Sequence, residues 1–189
     1  MFHKPQELIK RTPVDGVNRP EFLKQLVQEF RKTHSAEAKR QVLANLANFA
    51  YDPVNYVYIR SAKVIDLLLE QLDSSEKDLV RFASAGLCNL ANDPANKDYI
   101  IGNGGIQRLE QCLRLSEEEI TLSVVTTLMY LYTPEIKTDI INPSIVGCVL
   151  HYAQSENPRL RNVAKIFLED FCTEKDIQTA NTYSIPLPT

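Results

Sequence analysis

The chain has 189 residues, of which 44% are hydrophobic and 24% charged, a composition typical of a folded globular protein. Its net charge of −3 argues against a broad surface for nucleic-acid phosphates. No apolar run approaches the roughly 18 residues that indicate a membrane span. The first residues carry no apolar core of the signal-peptide type.

The cysteines and histidines predict no metal site. The cysteines lie singly within apolar helical patterns, which is typical of small buried side chains in a reducing compartment; they are Cys88, Cys112, Cys148 and Cys172. The histidines are equally scattered: His3, His34 and His151. The sequence also contains no Gly-rich phosphate loop and no GxSxG or HExxH motif. We therefore expect a protein that is not an enzyme and needs no cofactor.

The two ends of the chain differ from the rest in composition. Residues 1–19 contain Pro5, Pro13 and Gly16, and we expect a loosely ordered arm there. The next residues, 21–33 (EFLKQLVQEFRKT), predict the first helix. The last residues, 182–189 (TYSIPLPT), are too rich in proline for a helix, and we expect an extended tail.

The central part of the chain repeats itself. The segments LANLANFAYDPVNY (43–56) and GLCNLANDPANKDY (86–99) align with each other in a register that pairs Asn48 with Asn89. A weaker third copy over 124–141 places Tyr130 beneath Asn89, and a faint fourth over 162–177 places Asp170 there. A period of about 40 residues is typical of a solenoid, in which each repeat buries its apolar face against its neighbours.

Within a repeat, the spacing of apolar residues is helical. The segment AKVIDLLLEQLDSS places its apolar residues at intervals of three and four, which predicts one buried face. We expect Ser74 or Ser75 to begin the next, longer helix as its cap. Small residues in that helix, such as Gly86, permit close approach between stacked helices.

The Asp-Pro pairs predict helix starts. Asp93 can cap a short helix whose first position suits Pro94, because the missing N–H of proline is not needed there. Asp52 and Pro53 repeat this arrangement, and we interpret both pairs as structural. We interpret Asn55 and Asn96, which follow in the same short helices, in the same way. Each repeat is thus a short, a medium and a long helix.

This pattern resembles the armadillo repeat, in which three helices in about 40 residues end in LxNLA…DPxNxxxI and restart with GGIxxLxxCL. The resemblance implies an all-α fold, a right-handed α-α superhelix. It implies repeats over about 20–60, 61–102, 103–141 and 142–181, which together form one domain over 20–181.

The resemblance also implies a binding face, because the third helices of armadillo repeats line a concave groove. Asn48 and Asn89 would lie at equivalent places on it, with Tyr130 and Asp170 following in the later repeats. An amide both donates and accepts, so it can hold the backbone of an extended peptide. The alternative is that these amides tie down loop backbone within the solenoid. Three further residues are assigned to this face: Gln41, Phe82 and Tyr51.

One feature of armadillo nuclear-import receptors is missing. Those receptors place a tryptophan four residues before the groove asparagine. Here the corresponding residues are Ala44, Ala85 and Thr126, and the chain contains no tryptophan. Binding of basic localisation peptides is therefore not expected.

Several segments are similar, at matching spacing, to one small eukaryotic family of armadillo proteins: VLANLANFAYDPVNY, GLCNLANDPANK, TTLM, LRNVAKIFLEDFC and IPLP. That family is associated with the minor spliceosome, where its member pairs with an RNA-recognition-motif protein that holds the 5′ end of a small nuclear RNA. The resemblance implies a nuclear adaptor, monomeric by itself, whose contact with RNA is mostly indirect. The alternatives are a peptide receptor for transport or signalling and a direct nucleic-acid binder.

Overall fold

A computed structural model describes residues 18–182 of the chain, and this part contains helices and no strand. Twelve α-helices follow one another: α1 (Arg19–Lys32), α2 (Ala36–Phe49), α3 (Tyr56–Ser61), α4 (Val64–Gln71), α5 (Lys77–Leu90), α6 (Pro94–Gly102), α7 (Gly105–Cys112), α8 (Glu118–Leu131), α9 (Lys137–Ile140), α10 (Pro143–Tyr152), α11 (Pro158–Phe171) and α12 (Glu174–Thr182). Short 3₁₀ turns, Pro53–Asn55 and Pro134–Ile136, precede α3 and α9. The predicted order of a short, a medium and a long helix is confirmed in α3–α5, with 6, 8 and 14 residues. In α6–α8 the long helix again comes third, with 14 residues, but the first helix has 9 residues and the second has 8.

The predicted ends of the chain fall largely outside the described residues. Of the predicted arm, only residues 18 and 19 are described. Asn18 caps α1, its side chain accepting from the backbone N–H of Glu21 at 3.0 Å, so the helix begins at Arg19. The predicted tail began at Thr182, but the structure places this residue at the end of α12; residues 183–189 lie outside the described residues.

The predicted serine cap of α5 is wrong. This helix begins at Lys77, and Glu76 precedes it in an extended conformation without a side-chain cap. Ser74 instead accepts a hydrogen bond from the backbone N–H of Glu76 at 3.1 Å, so it shapes the turn before the helix. Ser74 lies two residues before the N-cap position, so it cannot cap the helix.

The turn between the first and the second helix of a repeat has the same conformation in two repeats. Lys63 has φ 60° before α4, and Gly104 has φ 73° at the equivalent place before α7 in the next repeat. Both occupy the left-handed region, which glycine adopts without steric cost. This turn separates α3 from α4 and α6 from α7.

The chain divides into two compact units, with the boundary after Asn96. In the first unit α2 packs on both α1 and α5, and α4 packs on α5. Its centre is apolar and fully buried, with Leu43, Leu46, Leu68 and Leu87 each 0% exposed. A Cβ atom at Gly86 would lie 3.0 Å from Leu68 Cδ1 and 3.4 Å from the Cα of Ala47, so this glycine permits the close approach that its size predicts.

The second unit has the same kind of core. Helix α11 packs on α8 and α10, and α10 also packs on α12. Phe167, Leu128, Val149 and Leu109 are each 0% exposed. Both units therefore hold a pair of long helices side by side, α2 with α5 and α8 with α11, and these pairs carry the predicted binding residues.

Candidate functional site

Four of the predicted binding residues occupy one equivalent position. Asn48, Asn89, Tyr130 and Asp170 are each the thirteenth residue of a fourteen-residue helix. In the first unit the packing of α2 on α5 brings Asn48 and Asn89 onto neighbouring helices. In the second unit the packing of α8 on α11 does the same for Tyr130 and Asp170.

The two asparagines have different surroundings. The Asn89 amide is half-buried and donates to the backbone carbonyl of Ala47 at 3.4 Å, a long hydrogen bond that ties α5 to α2. Its own backbone carbonyl accepts from the Tyr56 hydroxyl at 2.8 Å. The Asn48 side chain is exposed and makes no hydrogen bond to any other residue between 18 and 182. Asn48 is therefore free to bind a partner, whereas Asn89 already has a bond within its unit.

Tyr56 reaches Asn89 through a partly desolvated hydroxyl. Burial raises the pKa of Tyr56 above its ordinary value, and the carboxylates of Asp93 and Asp52 raise it further. The hydroxyl therefore stays protonated and keeps donating to the carbonyl of Asn89 at neutral pH. This bond holds the C-terminal turn of α5 in place.

The other residues assigned to the face of the first unit are also at the surface. Gln41 is exposed two turns before Asn48 on α2. Tyr51 follows the helix and is 62% exposed. Phe82 is half-buried, and the guanidinium carbon of Arg81 lies 4.4 Å from the centre of its ring. This surface thus combines amides with aromatic rings.

The second unit presents a different surface. Tyr130 is 43% exposed at the end of α8, and Asp170 is exposed at the end of α11. Between these ends, Tyr132 and Phe171 meet edge to face, with ring centres 4.9 Å apart. An aromatic ring and a carboxylate therefore stand where the first unit has two amides.

The asparagines of the DPxN motif are structural, as predicted. Asn55 and Asn96 are buried, at 1% and 0% exposure. Asn55 donates to the backbone carbonyl of Phe49 at 2.7 Å, and Asn96 donates to that of Leu90 at 3.2 Å. Each amide thereby satisfies a carbonyl at the C-terminal end of a long helix.

The aspartates of the same motif act as caps. The Asp52 carboxylate accepts from the backbone N–H of Val54 at 3.3 Å, and Asp93 accepts from that of Asn96 at 3.0 Å. Proline begins the helical turn in both places. The structural interpretation of both Asp-Pro pairs is confirmed.

One exposed amide is missing from the predicted binding residues. Asn45 has no asparagine counterpart in the second copy, where Gly86 stands, yet its side chain is exposed on the same face of α2 as Gln41 and Asn48. The helical spacing of four and three residues among these amides was the signal that could have identified it.

Within residues 18–182, no group of three or more His, Cys, Asp or Glu side chains is placed to hold a metal ion. In the same range, no helix has the length and apolar character needed to cross a membrane. The four cysteines are free thiols, with Cys112 and Cys148 buried.

Solved structures of armadillo proteins share this fold. A computationally designed armadillo repeat protein for modular peptide recognition matches with a TM-score of 0.72 and 16% identity, over 84% of this chain and 69% of the designed one. A designed armadillo repeat protein in complex with the peptide (KR)4 matches equally well, with a TM-score of 0.72 and 16% identity over 84% and 69% of the two chains. At this low identity the likeness shows the fold, an armadillo-type α solenoid.

A scan of protein-family models finds no match. A natural relative is much more similar in sequence: armadillo repeat-containing protein 7 of Mus musculus is 46% identical over 180 residues, covering 91% of both chains. This fold and this relative support a protein-interaction scaffold. The chain belongs to the armadillo repeat-containing protein 7 family.

Proposed function

We propose that this chain is a nuclear protein–protein adaptor of the minor spliceosome, which binds an RNA-recognition-motif protein and contacts RNA mostly indirectly. The single observation that carries the proposal is the 46% identity to armadillo repeat-containing protein 7 over 91% of the chain. The first-unit surface gives a physical reason for a protein partner, because exposed amides and aromatic rings on a rigid scaffold are typical of interfaces. The chain is not proposed as an enzyme.

The charges of the chain support indirect contact with RNA. Its net charge is −3, whereas RNA-binding surfaces carry an excess of Lys and Arg. Near the predicted face, Arg40 pairs with Glu37 at 2.9 Å, and Arg81 pairs with Asp78 at 2.9 Å. These ion pairs leave little unpaired positive charge near the predicted face, which supports contact with RNA through the partner.

A pull-down from nuclear extract tests the proposal. The tagged full chain should recover an RNA-recognition-motif protein together with a minor-class small nuclear RNA. Recovery should fall when Asn48 and Asn89 are both changed to alanine. The matched control changes two exposed amides on other helices, Gln28→Ala and Gln111→Ala, and should recover both components as the wild type does. Recovery of only cytoskeletal or membrane proteins would refute the nuclear adaptor.

One observation favours a second function, a peptide receptor of transport or signalling type: the fold matches a designed armadillo protein that binds the peptide (KR)4. Against it, Ala44 and Ala85 stand where import receptors have tryptophan. Titration of fluorescein-labelled (KR)4 against the full chain separates the two functions. Saturable binding that Asn48→Ala weakens would support the receptor, and no binding would leave the adaptor.

A further inference from the structure

The exposed amides of α2 form a row along one side of the helix. Gln41, Asn45 and Asn48 are separated by four and three residues, so their side chains lie on successive turns of one face. All three are exposed, and none makes a side-chain hydrogen bond to another residue of the described range. We call these three residues the amide row.

In the other long helices, the middle of the corresponding face is covered. The counterparts of Asn45 are buried: Gly86, Thr127 and Phe167. In α5 this side packs on α2, since a Cβ atom at Gly86 would lie 3.4 Å from the Cα of Ala47. The amide row thus occupies the side that α5 uses as an interface. Helix α1 also packs on α2 but leaves the row exposed.

The residue at position 45 sets how closely a helix could dock. Where α5 has Gly86 against its neighbour, α2 carries the amide of Asn45, so a helix could not approach α2 as closely as α2 approaches α5. A helix also has its backbone N–H and C=O groups paired internally, so it would bury this amide without offering it a backbone partner. An extended segment suits the row better, because its backbone offers N–H and C=O groups to amides that both donate and accept. From Gln41 to Asn48 the helix rises about 10.5 Å, the length of about three extended residues.

The charge of the face selects an uncharged segment. No Asp, Glu, Lys, Arg or His occurs from Gln41 to Phe49 or from Phe82 to Asn89. The nearest cation on α2, Arg40, is paired with Glu37 at 2.9 Å and Glu76 at 3.4 Å. A charged segment laid here would lose its hydration without gaining a counter-charge.

We propose that the amide row binds an extended, uncharged segment of a partner protein, held through its backbone by Gln41, Asn45 and Asn48. This inference rests on the scaffold function proposed above and assigns Asn45 as a contact residue. The amide row therefore binds a partner segment at the position where α5 packs against a neighbouring helix.

Selection from a random dodecapeptide phage library against the immobilised full chain tests the proposal. The enriched peptides should share an uncharged run. Their affinity, measured by fluorescence anisotropy, should fall about tenfold or more with Asn45→Ala or Asn45→Asp. Gln28→Ala, which removes an exposed amide from α1, should leave the affinity unchanged. A melting curve for each variant checks that it is folded. Gln41→Ala, one turn before Asn45 on α2, should lower the affinity in the same way.

Three results would overturn the inference: no enriched peptide, a shared run containing charged residues, or affinities insensitive to the Asn45 and Gln41 changes. Enriched peptides that match residues 1–17 would instead assign the row to the chain's own N-terminal segment. If pull-downs with wild type and Asn45→Ala recover the same RNA-recognition-motif protein while the selection fails, the inference falls and the adaptor function stands.

Discussion

Arg60 and Asn96 are joined by a hydrogen bond of 2.7 Å, in which Nη1 of the arginine donates to Oδ1 of the asparagine. The same nitrogen lies 3.0 Å from Asp93 Oδ1. Asn96 is fully buried, and its amide nitrogen donates to the carbonyl of Leu90. The arginine therefore fixes the orientation of an amide that closes the end of α5.

The same arrangement occurs one repeat earlier in the chain. Arg19 Nη1 donates to Asn55 Oδ1 at 2.8 Å, and Asn55 donates to the carbonyl of Phe49. In the next repeat Ile101 replaces the arginine and Lys137 replaces the asparagine, so the arrangement ends there. The first two repeats therefore share an arginine–asparagine–carbonyl hydrogen-bond lock, which the third repeat does not have.

Removing this lock should destabilise the first unit. Asn96→Ala removes two buried side-chain hydrogen bonds, one to the carbonyl of Leu90 and one from Arg60, and leaves both groups with Asp93 as their remaining partner. We expect a cost of about 1–3 kcal/mol. Urea unfolding followed by circular dichroism measures it. The control is Asn103→Ala, because Asn103 donates to the carbonyl of Tyr99 at 2.7 Å from an exposed position. Equal midpoints for Asn96→Ala and wild type would contradict a structural role.

Truncation of a core leucine should have a larger effect. Leu87 is 0% exposed within the packing of α5 on α2 and α4, so Leu87→Ala leaves a cavity and should cost about 2–5 kcal/mol. Leu115→Ala is the matched control, because Leu115 is 38% exposed. If Leu87→Ala and Leu115→Ala have the same urea midpoint, the alignment that places Leu87 in the core of the repeats is wrong.

The repeat made much of this fold predictable. The alignment of its copies predicted the order of helices and the structural roles of four residues: Asp52, Asp93, Asn55 and Asn96. These roles were predictable because helix caps and hydrogen bonds to the carbonyls at a helix end depend on local sequence. The serine cap of α5 failed for the opposite reason. A serine can accept a hydrogen bond from the backbone of a turn as well as from the first turn of a helix. Ser74 bonds to the turn, and α5 begins three residues later, at Lys77.

The predicted binding residues show where sequence comparison reaches its limit. Asn48 and Asn89 align in sequence, yet one is exposed and the other donates to Ala47. The difference arises because α5 packs on a preceding long helix, whereas this side of α2 stays exposed. For the same reason Asn45 is exposed although its counterpart Gly86 is buried, and an alignment that looks for repeated residues passes over it.

Replacing the glycine that begins α7 by alanine should destabilise the fold. A Cβ atom at Gly105 would lie 2.5 Å from Ile100 Cγ2 and 2.7 Å from the carbonyl oxygen of Ile100, so Gly105→Ala forces backbone to move. We expect a cost of about 1–3 kcal/mol. Gly102→Ala meets nothing within 4 Å and should be neutral or stabilising by up to about 1 kcal/mol. The melting temperature of Gly105→Ala should therefore lie below that of Gly102→Ala, and equal melting temperatures would contradict this packing.

The thiol of Cys172 should be unusually slow to react. Burial raises the pKa of this thiol from 9.0 to about 11, and the carboxylate of Asp176 adds to the rise. At pH 8 a shift of this size lowers the fraction of reactive thiolate by about a hundredfold. Because the folded chain holds this proton more tightly than the unfolded chain, the resulting stability is complete below pH 9 and is lost as the pH rises through 11.

Alkylation by iodoacetamide, read by mass spectrometry, checks the state of this thiol. Cys172 in the folded chain should label far more slowly at pH 8 than in chain unfolded by urea, and its rate should keep rising up to pH 11. Cys148→Ser and Cys112→Ser remove the two buried thiols and serve as the background for this measurement. Labelling of Cys172 at the same rate in folded and unfolded chain would contradict both its burial and the raised pKa of its thiol.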